Sequence, residues 1–249
     1  MKAINIKWLR QQLGLLKSRI IYDYKPFNQL RMIRFYSNFI RPGDLCFDIG
    51  AHTGNRTNAW LIMEARVVIV EPQPLLVRLL EKKFQFNKSC TLIAKAVGSK
   101  PGEGSMMISL NNPAISTLSD HWVSTIKDFE PSASWNDRII VDVTTLDELI
   151  RNYGTPAFCK IDVEGYEEEV LKGLSKPLPS LSFEFFPTTP LRTINCIDCL
   201  EELGRYKYNW SFTESFRLVS KAWINDEEMI KAIMNYKGRK SGDIYAILQ

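Results

Sequence analysis

The stretch Asp44-Leu-Cys-Phe-Asp48-Ile-Gly50-Ala-His52-Thr-Gly54 is an apolar run that ends in an acid and two glycines. A buried strand that stops at such a turn and gives way to a helix opens a ligand crevice at the carboxyl edge of an α/β sheet. Gly50 and Gly54 carry no Cβ, so the backbone can turn tightly there and approach a ligand at the amino end of the next helix. A second apolar run, Arg66-Val-Val-Ile-Val70, delivers Glu71. That acid arrives about twenty residues after the first glycine, the separation at which a carboxylate meets a ribose hydroxyl in nucleotide-binding sheets. Both features point to a ligand with a nucleoside part.

Charge narrows the ligand. A dinucleotide site uses G-x-G-x-x-G, so that helix amides reach a pyrophosphate. Here the spacing is G-x-x-x-G, with Asp48 at the loop entrance, where a carboxylate repels phosphate. A ligand with an ammonium group and a ribose but no phosphate suits that arrangement, and S-adenosylmethionine has those parts. The spacing alone leaves three readings open: S-adenosylmethionine, a nucleotide, or a purely structural turn.

The chain has 249 residues, 45% hydrophobic and 24% charged, which is enough for one large α/β domain with a well-buried core. No apolar run approaches the roughly 20 residues of a membrane span, and the first residues lack the apolar segment and cleavage site of a secretory signal, so a cytoplasmic protein is expected. The five cysteines, Cys46, Cys90, Cys159, Cys196 and Cys199, are odd in number, follow no framework spacing and read as reduced thiols. Cys196 and Cys199 form a lone C-x-x-C inside a helical pattern, short of the four ligands of structural zinc.

The net charge of +4 is uneven: residues 1 to 41 hold nine Lys or Arg and one acid, so the remainder is net negative. The organisation expected is a basic helical arm over residues 1–40 and a catalytic domain over 41–249. In the arm, Trp8, Leu9, Leu13, Leu16, Ile20 and Ile21 fall near helical spacing among Lys7, Arg10, Lys17 and Arg19. Such a helix suits an anionic membrane surface or an acidic partner, though packing on its own domain or on a second subunit is the plainer reading. The acidic body, which has no recognised binding motif, argues against nucleic acid.

From residue 44, strand-like and helix-like segments alternate, as in a parallel sheet with helices on both faces. Strands are expected at Leu45 to Ile49, Val67 to Val70, Thr91 to Val97, Arg138 to Val143, Ala157 to Ile161, Leu181 to Phe185, Tyr206 to Phe212 and Ile244 to Leu248, the last an antiparallel edge. Helices follow near Asn55 to Met63, from Pro74, from the capping box Thr145-Leu-Asp-Glu148 to Gly154, from Gly165, at Leu191 to Leu203, and at Asp226 to Asn235. Residues 111 to 137 run long with little periodicity, as functional lids do.

With these pieces in order, the chain resembles the FkbM-type family of S-adenosylmethionine-dependent methyltransferases. The resemblance rests on Phe47-Asp-Ile-Gly-Ala-His-Thr-Gly54, Glu71-Pro72, Val143-Thr-Thr-Leu-Asp-Glu-Leu149 and, most specifically, Lys160-Ile-Asp-Val-Glu-Gly-Tyr-Glu167 with Val170, Leu171 and Gly173 behind it. Ser182-Phe-Glu-Phe185 and Gly242-Asp-Ile-Tyr245 extend it, so that it covers about residues 40 to 249. It implies a Rossmann-like, seven-stranded class I methyltransferase sheet and O-methylation of a hydroxyl, often on a sugar or a secondary metabolite. By position, Asp48, Gly50 and Gly54 would hold the methionine part, Glu71 with Pro72 the ribose, and the edge around Ala96 the adenine, with Asp162 beneath the reacting methyl. His52 stands where members usually show Asn; either side chain can hydrogen-bond the loop.

Methyl transfer from a sulfonium is an in-line displacement, so aligning acceptor, methyl carbon and sulfur supplies most of the rate. An alcohol must also lose a proton, and a carboxylate or imidazole within reach would take it. Asp162, Glu164, Glu184 and His121 are the candidates. Each also has a plain alternative: Asp162 and Glu164 as caps of the helix from Gly165, Glu184 in a structural ion pair, and His121 as a surface residue. The three acids together have the hard oxygens that Mg²⁺ takes, but no confirming spacing, and a metal-independent mechanism is preferred. Trp122, Phe129 and Trp135 would either stack on an acceptor ring or pack the long loop down. Two other classes remain: a nicotinamide-dependent oxidoreductase, which needs a third glycine, and a non-catalytic module that binds an adenosyl ligand.

Overall fold

All five residues of Leu45–Ile49 (β1) are buried, and they divide between two cores on opposite faces, as the two-residue period of a strand requires. The structure is a computed structural model that describes residues 28–129, 133–135 and 137–249, with the side chains of 127–129 excluded. The arm helix expected around Trp8 to Ile21 and the ring of Phe129 lie outside the described residues.

Around β1 are α1 (Asn28–Tyr36), α2 (Asn55–Ile62), β2 (Arg66–Val70), α3 (Pro74–Phe84) and β3 (Cys90–Ile93). Next come β4 (Ala96–Val97), β5 (Gly102–Ile108), α4 (Asp120–Phe129), β6 (Asp137–Thr144), α5 (Leu146–Tyr153), β7 (Phe158–Ile161) and α6 (Glu167–Leu171). The chain closes with β8 (Ser180–Phe185), α7 (Pro190–Glu201), β9 (Tyr206–Phe212), α8 (Asp226–Asn235) and β10 (Gly242–Leu248). The main sheet has seven strands in the order β3-β2-β1-β7-β8-β10-β9. Only β10 runs antiparallel to its neighbours, and it lies one place in from the edge, between β8 and β9. Strand order reverses between β1 and β7, which puts a crevice at their carboxyl ends. This is the class I methyltransferase sheet that the sequence led us to expect.

One face carries α5 to α8, with Leu149, Val170, Ile197 and Met229 packed on Phe47, Ile161 and Phe183. The other carries α1 and α2, with Met32, Phe35, Tyr36 and Trp60 on Cys46, Phe158 and Tyr245. Met32, Phe35, Tyr36 and Ile40, just ahead of β1, therefore pack into this core.

The strand expected at Thr91 to Val97 is divided. Cys90–Ile93 pairs with β2, Ala94 and Lys95 are exposed at a bend, and Ala96–Val97 joins a separate three-stranded sheet of order β4-β6-β5. An apolar run reads as one strand because its pattern does not record a change of partner. The long segment 111–137 contains a 3-10 turn at Pro113–Ile115 and α4. Trp122 of α4 is fully buried, with its ring 4.2 Å from that of Phe186, and Trp135 donates its indole N–H to the Ile115 carbonyl at 2.8 Å. Both rings pack the segment down. At α5 only half of the expected capping box forms: the Thr145 hydroxyl accepts the Glu148 N–H, while the Glu148 carboxylate accepts the Thr144 hydroxyl proton at 2.7 Å.

Candidate active site

Gly50 has φ +76, and a Cβ there would enter the carbonyl of Asp162. This glycine thus lets the ends of β1 and β7 approach each other, and it also lines the cavity described below. Gly54, at φ +71, is the N-cap of α2, and the space beside it is filled by Leu80 and Phe84; it does not line the cavity described below. Asp48 is buried and accepts the Thr57 N–H at 3.1 Å and the Thr57 hydroxyl proton at 2.5 Å through one oxygen, Oδ2. Burial pushes its carboxyl up, against the Thr57 bond.

Glu71, at the end of β2, uses both oxygens. Oε2 accepts the backbone N–H of His52 at 3.0 Å and Oε1 that of Gln73 at 2.9 Å. Burial pushes its carboxyl up to about 7, although both amides favour the ionised form. His52 has a left-handed backbone, φ 53, and burial pushes its imidazole down to about 4, so the ring is neutral at pH 7. A neutral ring does not repel a sulfonium.

At the end of β7, Lys160 is 1% exposed and donates to Asp162 Oδ2 at 2.9 Å and to Asp243 Oδ1 of β10 at 3.2 Å. Burial alone would raise the Asp162 carboxyl; the ammonium of Lys160, with Arg56, outweighs it and holds Asp162 below the usual range. Burial likewise works against the charge of Lys160, and Asp162 and Asp243 outweigh it, raising its pKa. β7 pairs with β8 with Ile161 opposite Phe183, so Asp162 and Glu184 emerge side by side. Glu164 follows with φ 53, its carbonyl held by the Thr117 hydroxyl at 2.8 Å. The Asp162, Glu164 and Glu184 carboxylates come within 4.8 Å of one another. Burial, then the neighbouring acids, pushes both glutamates well above the usual carboxylate range.

The capping alternative for Asp162 and Glu164 fails, because α6 begins at Glu167 and that residue's own carboxylate takes the Val163 and Gly165 amides. Glu184 likewise makes no structural ion pair among the described residues.

One cavity of about 220 Å³ is lined by Asp48, Gly50, His52, Glu71, Pro72, Ala96, Asp162, Glu164 and Glu184. Val97, Met106, Ala114 and Leu118 make its apolar side, next to Ala96. The residues fit S-adenosylmethionine: each oxygen of Glu71 retains a lone pair for a ribose hydroxyl, the apolar side suits an adenine, and the acids suit a cationic ligand. His121 is exposed on α4 and does not line the cavity.

Four participants carry no role in the sequence reading. Lys160 and Asp243 hold Asp162 in place, and Arg56 pairs with Glu214 at 2.8 Å on the cavity wall. A lysine two residues before an acid in a buried strand lies on that acid's face, so Lys160 was legible; the other three depend on pairings distant in sequence.

Residues 48–194 match a family model described as the methyltransferase FkbM domain. Solved structures with a similar chain path include a precorrin-6y C5,15-methyltransferase from Geobacter metallireducens, 10% identical, TM-score 0.47, covering 89% of this chain and 87% of that one. Another is a TehB-like SAM-dependent methyltransferase from Corynebacterium glutamicum, 8% identical, TM-score 0.48, covering 94% of each. A third is an O-methyltransferase from Bacillus cereus in complex with SAH, 12% identical, TM-score 0.43, covering 100% of this chain and 93% of that one. No curated protein gives a significant match.

Proposed function

Because the chain belongs to the FkbM methyltransferase family and uses S-adenosylmethionine, we propose that it methylates a hydroxyl oxygen of a sugar, glycan or secondary metabolite. The cofactor, when bound, supplies an activated methyl group on a sulfonium that leaves as a neutral thioether. In this reading Glu71 accepts the ribose hydroxyls, Asp48 and the turn at Gly50 receive the amino-acid end, and Ala96 with its apolar neighbours covers the adenine. Asp162, kept ionised by Lys160, faces the positive charge around the methyl. Glu164 and Glu184 open into the same space and are placed to take the acceptor's proton.

The observation that carries this reading is the convergence of Asp48, Glu71 and Asp162, from the ends of three different strands, on one cavity. The nicotinamide alternative lacks a third glycine and gives way to the family assignment. Partners other than the acceptor follow from the sequence reading: no nucleic acid, and contacts of the basic arm with a membrane surface or a second subunit.

Titration calorimetry with S-adenosylmethionine and NAD tests the cofactor side, with binding expected for the first only. Incubation with neutral sugars, glycans and small alcohols, followed by mass spectrometry, tests the chemistry, and an O-methyl product is expected. Methylation of nitrogen or carbon instead would overturn the oxygen assignment, and cofactor binding without transfer to any acceptor would favour a binding module.

A further inference from the structure

We propose that Asp162, Glu164 and Glu184 bind a hard divalent cation, Mg²⁺ or Mn²⁺, at the acceptor end of the cavity. Asp162 and Glu164 stand two residues apart after β7, and only the pairing of β7 with β8 brings Glu184, from the next strand, level with Asp162. One oxygen from each lies within 4.8 Å of the others. Around an ion with bonds of about 2.1 Å, octahedral oxygens stand roughly 3 to 4 Å apart, so a small contraction suffices. The set contains no histidine or cysteine, which favours magnesium or manganese over zinc.

Charge and hydrogen bonding point the same way. Lys160 is engaged by Asp162 Oδ2 and also by Asp243, and among the described residues no lysine, arginine or histidine pairs with Glu164 or Glu184. Glu184 Oε2 is closed off from solvent and accepts no hydrogen bond. Like carboxylates so close together and short of counter-charge need a proton or a cation, and an oxygen with no donor is a ready ligand. Three protein ligands leave positions open for water and for acceptor hydroxyls. An acceptor hydroxyl bound there would lose its proton more easily, to a carboxylate oxygen not bonded to the ion. That last role rests on the O-methylation reading; metal binding itself does not.

The test is titration of the EDTA-stripped full chain with Mn²⁺, followed by electron paramagnetic resonance with Mg²⁺ as competitor, alongside calorimetry of S-adenosylmethionine in EDTA. One Mn²⁺ per chain is expected, with binding at least tenfold weaker in Glu184→Gln and in Glu164→Gln. In EDTA the thermal transition of either variant should hold or rise, since one of three crowded charges has gone. If the parent binds S-adenosylmethionine but no Mn²⁺, or if both folded variants keep the parent's Mn²⁺ affinity, the site does not exist. If Mn²⁺ binds and S-adenosylmethionine does not, the cofactor reading fails and the metal site stands.

Discussion

Replacing Glu71 by glutamine keeps the side-chain shape and removes one charge, and its effects on folding and on binding are expected to separate. In the folded state the two oxygens of Glu71 accept the amides of His52 and Gln73. Glutamine can serve only one of them, and its NH₂ would face the other donor, which leaves a buried N–H unpaired at a cost of about 1–3 kcal/mol. Against this stands the cost of burying the charge. A carboxyl raised from 4.5 to about 7 binds its proton more tightly when folded, so its contribution to stability falls as pH rises from about 4.5 to 7. Above that window the loss is about 3 kcal/mol, which glutamine avoids. The two terms nearly cancel at pH 8, and melting temperature should change little.

Binding does not cancel. Hydrogen bonds from ribose hydroxyls to a charged acceptor are worth about 1.5–3 kcal/mol, so E71Q should weaken S-adenosylmethionine roughly ten- to hundredfold by calorimetry at pH 8. For the parent, affinity should fall as pH drops below about 7 and the carboxylate takes a proton, while E71Q stays flat. A Kd within twofold of the parent at pH 8, or the same pH slope in both proteins, would refute the role of Glu71.

Gly50→Ala forces a Cβ into the Asp162 carbonyl at a positive φ, so thermal unfolding should show a loss of at least about 1–3 kcal/mol, with cofactor binding reduced. Lys160→Met leaves Asp162 and Asp243 without their buried cation, and a loss of about 3–5 kcal/mol is expected in urea unfolding. Adding Asp243→Asn to that variant should recover part of it. His121→Ala should leave initial rates of methyl transfer within about twofold, since the residue is exposed and away from the cavity; a loss comparable to that of Glu184→Gln would place it back among the candidate bases.

The residues that were legible in the sequence are those whose role is local. The runs at Leu45 to Ile49, Val67 to Val70 and Tyr206 to Phe212 show burial directly, because a short run rich in apolar residues between turn signals is written in adjacent residues. The turn glycines and Glu71 could be placed for the same reason, and the order of segments pointed to the sheet. Reasons were harder to read than positions: Gly50 is glycine because of Asp162, more than a hundred residues later, and the apparent cap of α6 belongs to Glu167 rather than to Asp162 or Glu164. His121 looked available only because its exposure is set by how α4 packs Trp122 beneath the loop.

By itself, then, the sequence determined the family, the alternation of strands and helices, and the sheet edge at which the candidate site opens, since each depends on neighbouring residues obeying backbone geometry. The tertiary structure alone decided that β10 enters between β8 and β9, bringing Asp243 to Lys160, and that Glu184 stands beside Asp162 and Glu164. Whether two acids repel, pair or share an ion depends on distances of a few ångströms, which strand pairing sets and sequence spacing does not.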